Sequence, residues 1–140
     1  MTSAFRKLQG VCFLLPALLF SVAASTTGEA KPAPLDVLNK LQPGLWQLKT
    51  FGDRADRQMC VDNGRQLIQI RHAGESCSQF IVEDTTTAAT VQYTCRGTGY
   101  GRTRIRFEQP SLVQINTQGI QRGLPFDMNI EARRIGPFGR

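Results

Sequence analysis

Two cysteines at the ends of what reads as a β-hairpin constrain this chain more than any other feature. Cys77-Ser-Gln-Phe80-Ile-Val82-Glu83 and Ala88-Ala-Thr-Val91-Gln-Tyr93-Thr-Cys95 are β-rich runs, and Asp84-Thr-Thr-Thr87 between them is a polar turn. A turn centred on Thr86 sets position 77 opposite 95, 79 opposite 93 and 81 opposite 91. Directly opposed residues in a non-hydrogen-bonded antiparallel pair have Cα atoms close enough for a disulfide, so this register predicts a cross-strand bond between Cys77 and Cys95. A disulfide in turn implies an oxidising compartment.

The N-terminus agrees with that compartment. Arg6 and Lys7 precede an almost unbroken apolar run from Val11 to Ala24, and Val22-Ala23-Ala24 supplies small residues for cleavage before Ser25. Residues 1–24 therefore read as a secretory signal peptide, and the chain is expected to be exported. The run is shorter than the roughly 20 apolar residues a transmembrane helix needs, and no basic flank follows it. Removing it takes two bases and no acid from the formal charge of +6, leaving +4. Cys12 leaves with the signal. Cys60 is then the odd cysteine, expected as a free thiol or as an alternative disulfide partner.

Residues 25–40 read as a leader, rich in Ser, Thr, Ala and Pro at first and then able to form a short helix with Leu35, Leu38 and Leu41 on one side. Residues 41–140 read as one antiparallel β-domain. Pro43-Gly44 suits a type II turn, with a strand from Leu45 to Phe51 that carries Trp46, the sole tryptophan, as a core anchor. A short strand at Gln58-Met59-Cys60-Val61 follows, and Asp62 can cap a helix from Asn63 to about His72, stopped by Gly74. His72 is the only histidine and, at a helix end, reads as a solvated residue. The glycines of Arg96-Gly97-Thr98-Gly99-Tyr100-Gly101-Arg102 read as turn residues, because a phosphate loop needs a helix after it and a strand follows here.

Period-two alternation is cleanest from Thr103 to Ile135. Ile105 and Phe107, Val113 and Ile115, and Phe126, Met128 and Ile130 alternate with polar residues across turns at Gln109-Pro110-Ser111 and Gln118 to Pro125. Such a pattern means antiparallel strands covered on one face. Turning about Pro110 sets Ile105 against Ile115 and Phe107 against Val113, and the next turn sets Ile115 near Met128 and Val113 near Ile130. The fold expected is mostly β: an antiparallel meander of about seven short strands, curled or a partly open barrel, with one short helix between strands 2 and 3.

The opposite face of those strands carries Arg102, Arg104 and Arg106 in a row, beside Gln114 and Asn116. Residues 25–95 hold seven bases and eight acids, whereas residues 96–140 hold eight arginines and three acids. Charged outer faces keep sheets soluble, and guanidinium forks also suit carboxylate and phosphate. The nearest acids by this register, Asp127 and Glu131, lie too far across the sheet to pair with the arginine row. The row is thus a candidate anion-binding surface for an anionic envelope component. Nucleic acid is a poor partner, since the compartment offers little of it and no aromatic row accompanies the arginines.

The signal peptide, Pro43-Gly44-Leu45-Trp46, Met59-Cys60 with a capped segment after it, Cys77 and Cys95, and the closing Ala132-Arg133-Arg134-Ile135-Gly136 together resemble the small exported proteobacterial proteins grouped as domain-of-unknown-function family 3617. Members often carry a further cysteine just after the terminal glycine, where this chain has Pro137-Phe138, which implies that one cysteine here lacks its family partner. The resemblance implies the compartment, the periplasm of a Gram-negative bacterium or the exterior, and the fold, and no reaction. No paired carboxylates at a turn, metal-ligand cluster or nucleophile–base arrangement is legible, and no cofactor is implied. The leading expectation is a non-enzymatic binding or scaffolding domain at the cell envelope. A barrel holding a small lipophile is the alternative, and an enzyme comes last.

Overall fold

A computed structural model describes residues 34–52 and 56–139. The signal peptide and the first part of the leader lie outside the described residues. Among those described, no helix is long and apolar enough to cross a membrane.

One helical turn, α1 (Asp36–Asn39), precedes seven strands: β1 (Gly44–Thr50), β2 (Arg57–Val61), β3 (Cys77–Asp84), β4 (Ala88–Cys95), β5 (Gly99–Gln109), β6 (Leu112–Gln121) and β7 (Leu124–Gly136). They form one antiparallel sheet in the order β2-β1-β7-β6-β5-β4-β3. The sheet does not close into a barrel. Strands β3 to β7 make a meander of tight turns, but β1 returns to pair with β7, so β2 and β3 are the two edges. The chain between them must cross from one edge to the other, and it does so over the inner face of the sheet.

That crossing is where the expected helix from Asn63 to His72 fell. The segment instead forms two 3₁₀ turns, Gly64–Leu67 and Ile70–His72, and the cap of the first is Asn63, whose side chain accepts from the Arg65 N–H at 3.1 Å. The near-alternation of Leu67, Ile68 and Ile70 explains the break. All three are buried, and short turns aim them at the sheet more directly than a continuous helix would. His72 corrects the sequence reading too: it is 1 % exposed, not solvated.

The core is therefore a sheet face covered by short turns. Trp46, Leu48, Val91, Tyr93, Ile105, Val113, Ile115, Ile130 and Ala132 face inward, and Leu35, Val37, Leu38, Leu41, Leu67, Ile68 and Ile70 cover them. Trp46 is wholly buried and its indole N–H donates to the Gln42 carbonyl at 3.1 Å, as a core anchor requires. Phe107 and Met128 pack at the margin. The cover is tied to the strand turns: the Leu35 N–H donates to Asp84 Oδ2 at 3.0 Å, Lys40 Nζ to the Thr86 carbonyl at 2.8 Å, and the Gln42 N–H to the Pro110 carbonyl at 2.9 Å.

The predicted hairpin register holds. Cys77 pairs with Cys95, Gln79 with Tyr93 and Ile81 with Val91, and the two cysteines are bonded across a Cα separation of 4.2 Å. Cys60 is a free, exposed thiol on the β2 edge. The β5–β6 pairs Ile105 with Ile115 and Phe107 with Val113 also hold.

Three details differ from expectation. Ile115 pairs with Ile130 and Val113 with Ala132, two residues on from the partners expected for them. Strand β6 runs through the supposed loop as far as Gln121, and the turn is only Arg122-Gly123, at φ 49° and 81°. Positive φ at both positions is the type I′ geometry that matches strand twist, which favours a glycine at the second. A two-residue slip leaves each side chain on its own face, so the core survived the misplacement. Pro43-Gly44 is likewise no separate type II turn, since Gly44 already pairs with Val61 inside β1.

Candidate functional site

With the inner face filled, the outer face of β4, β5, β6 and β7 is the surface on which chemistry is left. Strand alternation sends Gln92, Tyr100, Arg102, Arg104, Arg106, Gln118, Ile120 and Asp127 outward, and pairing sets them in rows across the strands. One row runs Gln92–Arg102–Gln118–Asp127 through the pairs Gln92 with Arg102, Arg102 with Gln118 and Gln118 with Asp127. The next row is Thr94–Tyr100–Ile120. Between them lies an open groove of about 350 Å³, lined by Tyr100, Arg102, Gln118, Ile120, Phe126 and Asp127 among others. Tyr100 is half exposed there.

The candidate arginine row is not uniform. Arg104 pairs with Glu83, and Arg106 Nη2 lies 3.1 Å from Glu108 Oε1. The expectation that acids lie too far away considered only the β7 side. Glu83 reaches the row through a bulge: the β3–β4 register shifts between Ile81 and Glu83, so that Glu83 pairs with Thr90 rather than Ala89. One residue of shift moves it from the inner to the outer face, where the Thr90 hydroxyl donates to it at 2.8 Å. Arg102 has no carboxylate within ion-pair distance among the described residues. Of the three arginines, it is the one that borders the groove beside Tyr100, and it also lines a second, smaller recess with Arg104, Asn116 and Asp127.

Beneath the groove the inner face carries a buried polar chain. His72 Nδ1 lies 3.2 Å from the Tyr93 hydroxyl, and Thr103 and Thr117 share a hydrogen bond at 2.7 Å while Thr103 donates to the Ile68 carbonyl at 2.5 Å. Burial pushes the Tyr93 phenol up from its ordinary value, offset in part by the Thr117 hydroxyl and the Arg71 charge, while Glu75 adds to the rise. Gly101 makes this packing possible, since a Cβ there would sit 2.5 Å from Tyr93 Cζ. His72 Nε2 has no hydrogen-bond partner among the described residues. These groups fix the 3₁₀ turns to the sheet, because each satisfied buried hydroxyl avoids a desolvation cost of about 1–3 kcal/mol.

A second groove, of about 380 Å³, opens where the two sheet edges approach, lined by Met59 of β2, Gln79 of β3, and Arg65, Gln66 and Gln69 of the crossing segment. Sequence reasoning found the arginines and set Asp127 on the same face, but missed Tyr100, Gln92 and Gln118, which lie on three strands and meet only through register. The alternation around Arg102 would have placed Tyr100 on the same face had the strand been started at Gly99.

No curated protein and no solved structure matches the chain. A family model described as a protein of unknown function matches residues 41–137, a span that takes in all seven strands and so the whole outer face. The chain belongs to the DUF3617 family.

Proposed function

We propose that this chain is an exported, non-enzymatic binding domain that presents the outer face of its sheet to a component of the cell envelope. The groove beside Tyr100 carries the reading: it joins an exposed aromatic ring to an arginine that makes no ion pair among the described residues, on the face of a continuous sheet. The N-terminal apolar segment and the Cys77–Cys95 bond support export. A lipophile carrier has less support, because side chains from α1 and the 3₁₀ turns occupy the inner face where a cargo would lie. An anionic surface docked along the whole arginine row is also less supported, since Arg104 and Arg106 already have carboxylate partners.

The test is co-sedimentation of the mature domain with membranes and sacculi from a Gram-negative bacterium. Retention should fall about tenfold in the Tyr100→Ala/Arg102→Gln double variant, the loss of roughly 1.4 kcal/mol of contact, while the unfolding midpoint stays put. Equal retention of the parent and the double variant would overturn the proposal.

A further inference from the structure

Resting on that reading of the outer face, the geometry points to a neutral or weakly charged oligosaccharide as the ligand of the Tyr100 groove. Gln92, Arg102, Gln118 and Asp127 stand side by side on four adjacent strands. At the strand spacing of about 4.8 Å, their row spans about 14 Å. Its chemistry mixes roles: the guanidinium only donates, the carboxylate only accepts, and each amide does both. A hydroxyl is donor and acceptor at once, so a polyol can satisfy such a row, whereas a polyanion would meet the carboxylate of Asp127.

Alongside lies an apolar strip. Tyr100 and Ile120 are direct cross-strand neighbours, and Tyr100 is 52 % exposed. A pyranose ring has the matching division, with C–H faces that pack on an aromatic ring and a rim of hydroxyls. Laid along the groove, its face would cover Tyr100 and Ile120 while its rim meets Arg102 and Gln118. The groove's volume of about 350 Å³ suits a small ligand held on a surface.

The charge balance points the same way. Arg104 is matched by Glu83, Arg106 by Glu108 and Arg133 by Glu131, while Arg102 shares its row with Asp127. The groove therefore presents one guanidinium and one carboxylate, set apart across its floor, rather than a block of charge of one sign. The site is also pre-organised. Tyr100 lies on an interior strand paired on both sides, next to the strand whose Cys95 is bonded to Cys77, so little loop ordering opposes binding.

The experiment is amide spectroscopy of the mature domain, titrated separately with cellotriose, maltotriose, chitotriose and phosphatidylglycerol vesicles. At least one trisaccharide should give saturable shifts centred on Tyr100, Gly101, Gln118 and Gly119. Tyr100→Ala should weaken that binding about tenfold, Gln118→Ala should weaken it by a smaller factor, and Arg106→Gln should leave it unchanged, each variant keeping the parent spectrum elsewhere. Vesicles perturbing these residues while no trisaccharide does would overturn the oligosaccharide assignment and leave the outer-face reading standing. Trisaccharide shifts confined to the groove around Met59 and Gln79 would overturn the assignment of the site. No response on the outer face to any of the four ligands would overturn both readings.

Discussion

Reducing the Cys77–Cys95 bond should destabilise the domain mainly through its unfolded state. The bond closes a sequence separation of 18, for which the chain-entropy relation gives about 11 cal/mol/K, or about 3 kcal/mol at 25 °C. In the folded state little should change: Cys95 is buried and Cys77 packs against the core, so two thiols in place of the bond expose no polar group. For a domain of this size, 3 kcal/mol corresponds to a fall of about 12 °C in Tm. The assay is urea unfolding followed by Trp46 fluorescence, with and without reductant, in a Cys60→Ser background that removes the exposed thiol as an exchange partner. The unfolded-state origin has its own signature, because opening the loop expands the denatured chain and should raise the m-value as the midpoint falls. A free-thiol count of zero per denatured mature chain in that background before reduction, and of two after it, confirms the starting and final states. Midpoints and m-values that coincide within error despite that count would refute the entropic argument and mean that the hairpin persists in the denatured ensemble.

Truncating Ile115 to Ala should cost about 2–5 kcal/mol in the same assay, since it empties a site between Ile105 and Ile130, whereas Gln114→Ala should stay within about 0.5 kcal/mol. Gly101→Ala should cost about 1–3 kcal/mol, because the new methyl must displace the Tyr93 ring. The raised Tyr93 phenol gives a pH prediction with a definite sign. A group whose folded value lies above its unfolded value retains more protons when folded, so its stabilising contribution is whole below about pH 10 and is lost as pH rises from there. Guanidinium melts across the alkaline range should show that decline, and Tyr93→Phe should remove it while costing about 1 kcal/mol of hydrogen bonding at neutral pH.

Local pairing was legible because turn position and alternation fix it together. The pairs of Cys77 with Cys95 and Ile105 with Ile115 each sit across one short turn, and a one-residue error in either would have turned apolar side chains to water. The β6–β7 turn resisted reading because Gln118, Gly119 and Gln121 look like loop residues, although they continue a strand. The pairing of β1 with β7 had no local signature, and with it went the edge-to-edge path of the crossing segment and the burial of His72. The arginine row was visible along one strand, but its neutralisation by Glu83 depends on a bulge at Val82 that alternation does not mark. The candidate groove was hidden for a related reason: alternation places side chains along a strand, while the groove runs across strands.

The return of β1 to β7 also orders events in time. Leu48 must find Ala132, a partner near the other end of the domain, whereas every contact within the β3–β7 meander can form across a short turn. Loop-closure entropy therefore places the β1–β7 contact late, and the relative contact order of the whole domain puts its folding among the slower small proteins. A chain growing from its N-terminus can pair β1 with β2, but holds the other edge of β1 open until β7 has emerged. Trp46 sits on the strand that docks last, so its fluorescence reports completion of the sheet rather than its beginning, and a probe on Tyr93 should report an earlier phase of the same reaction.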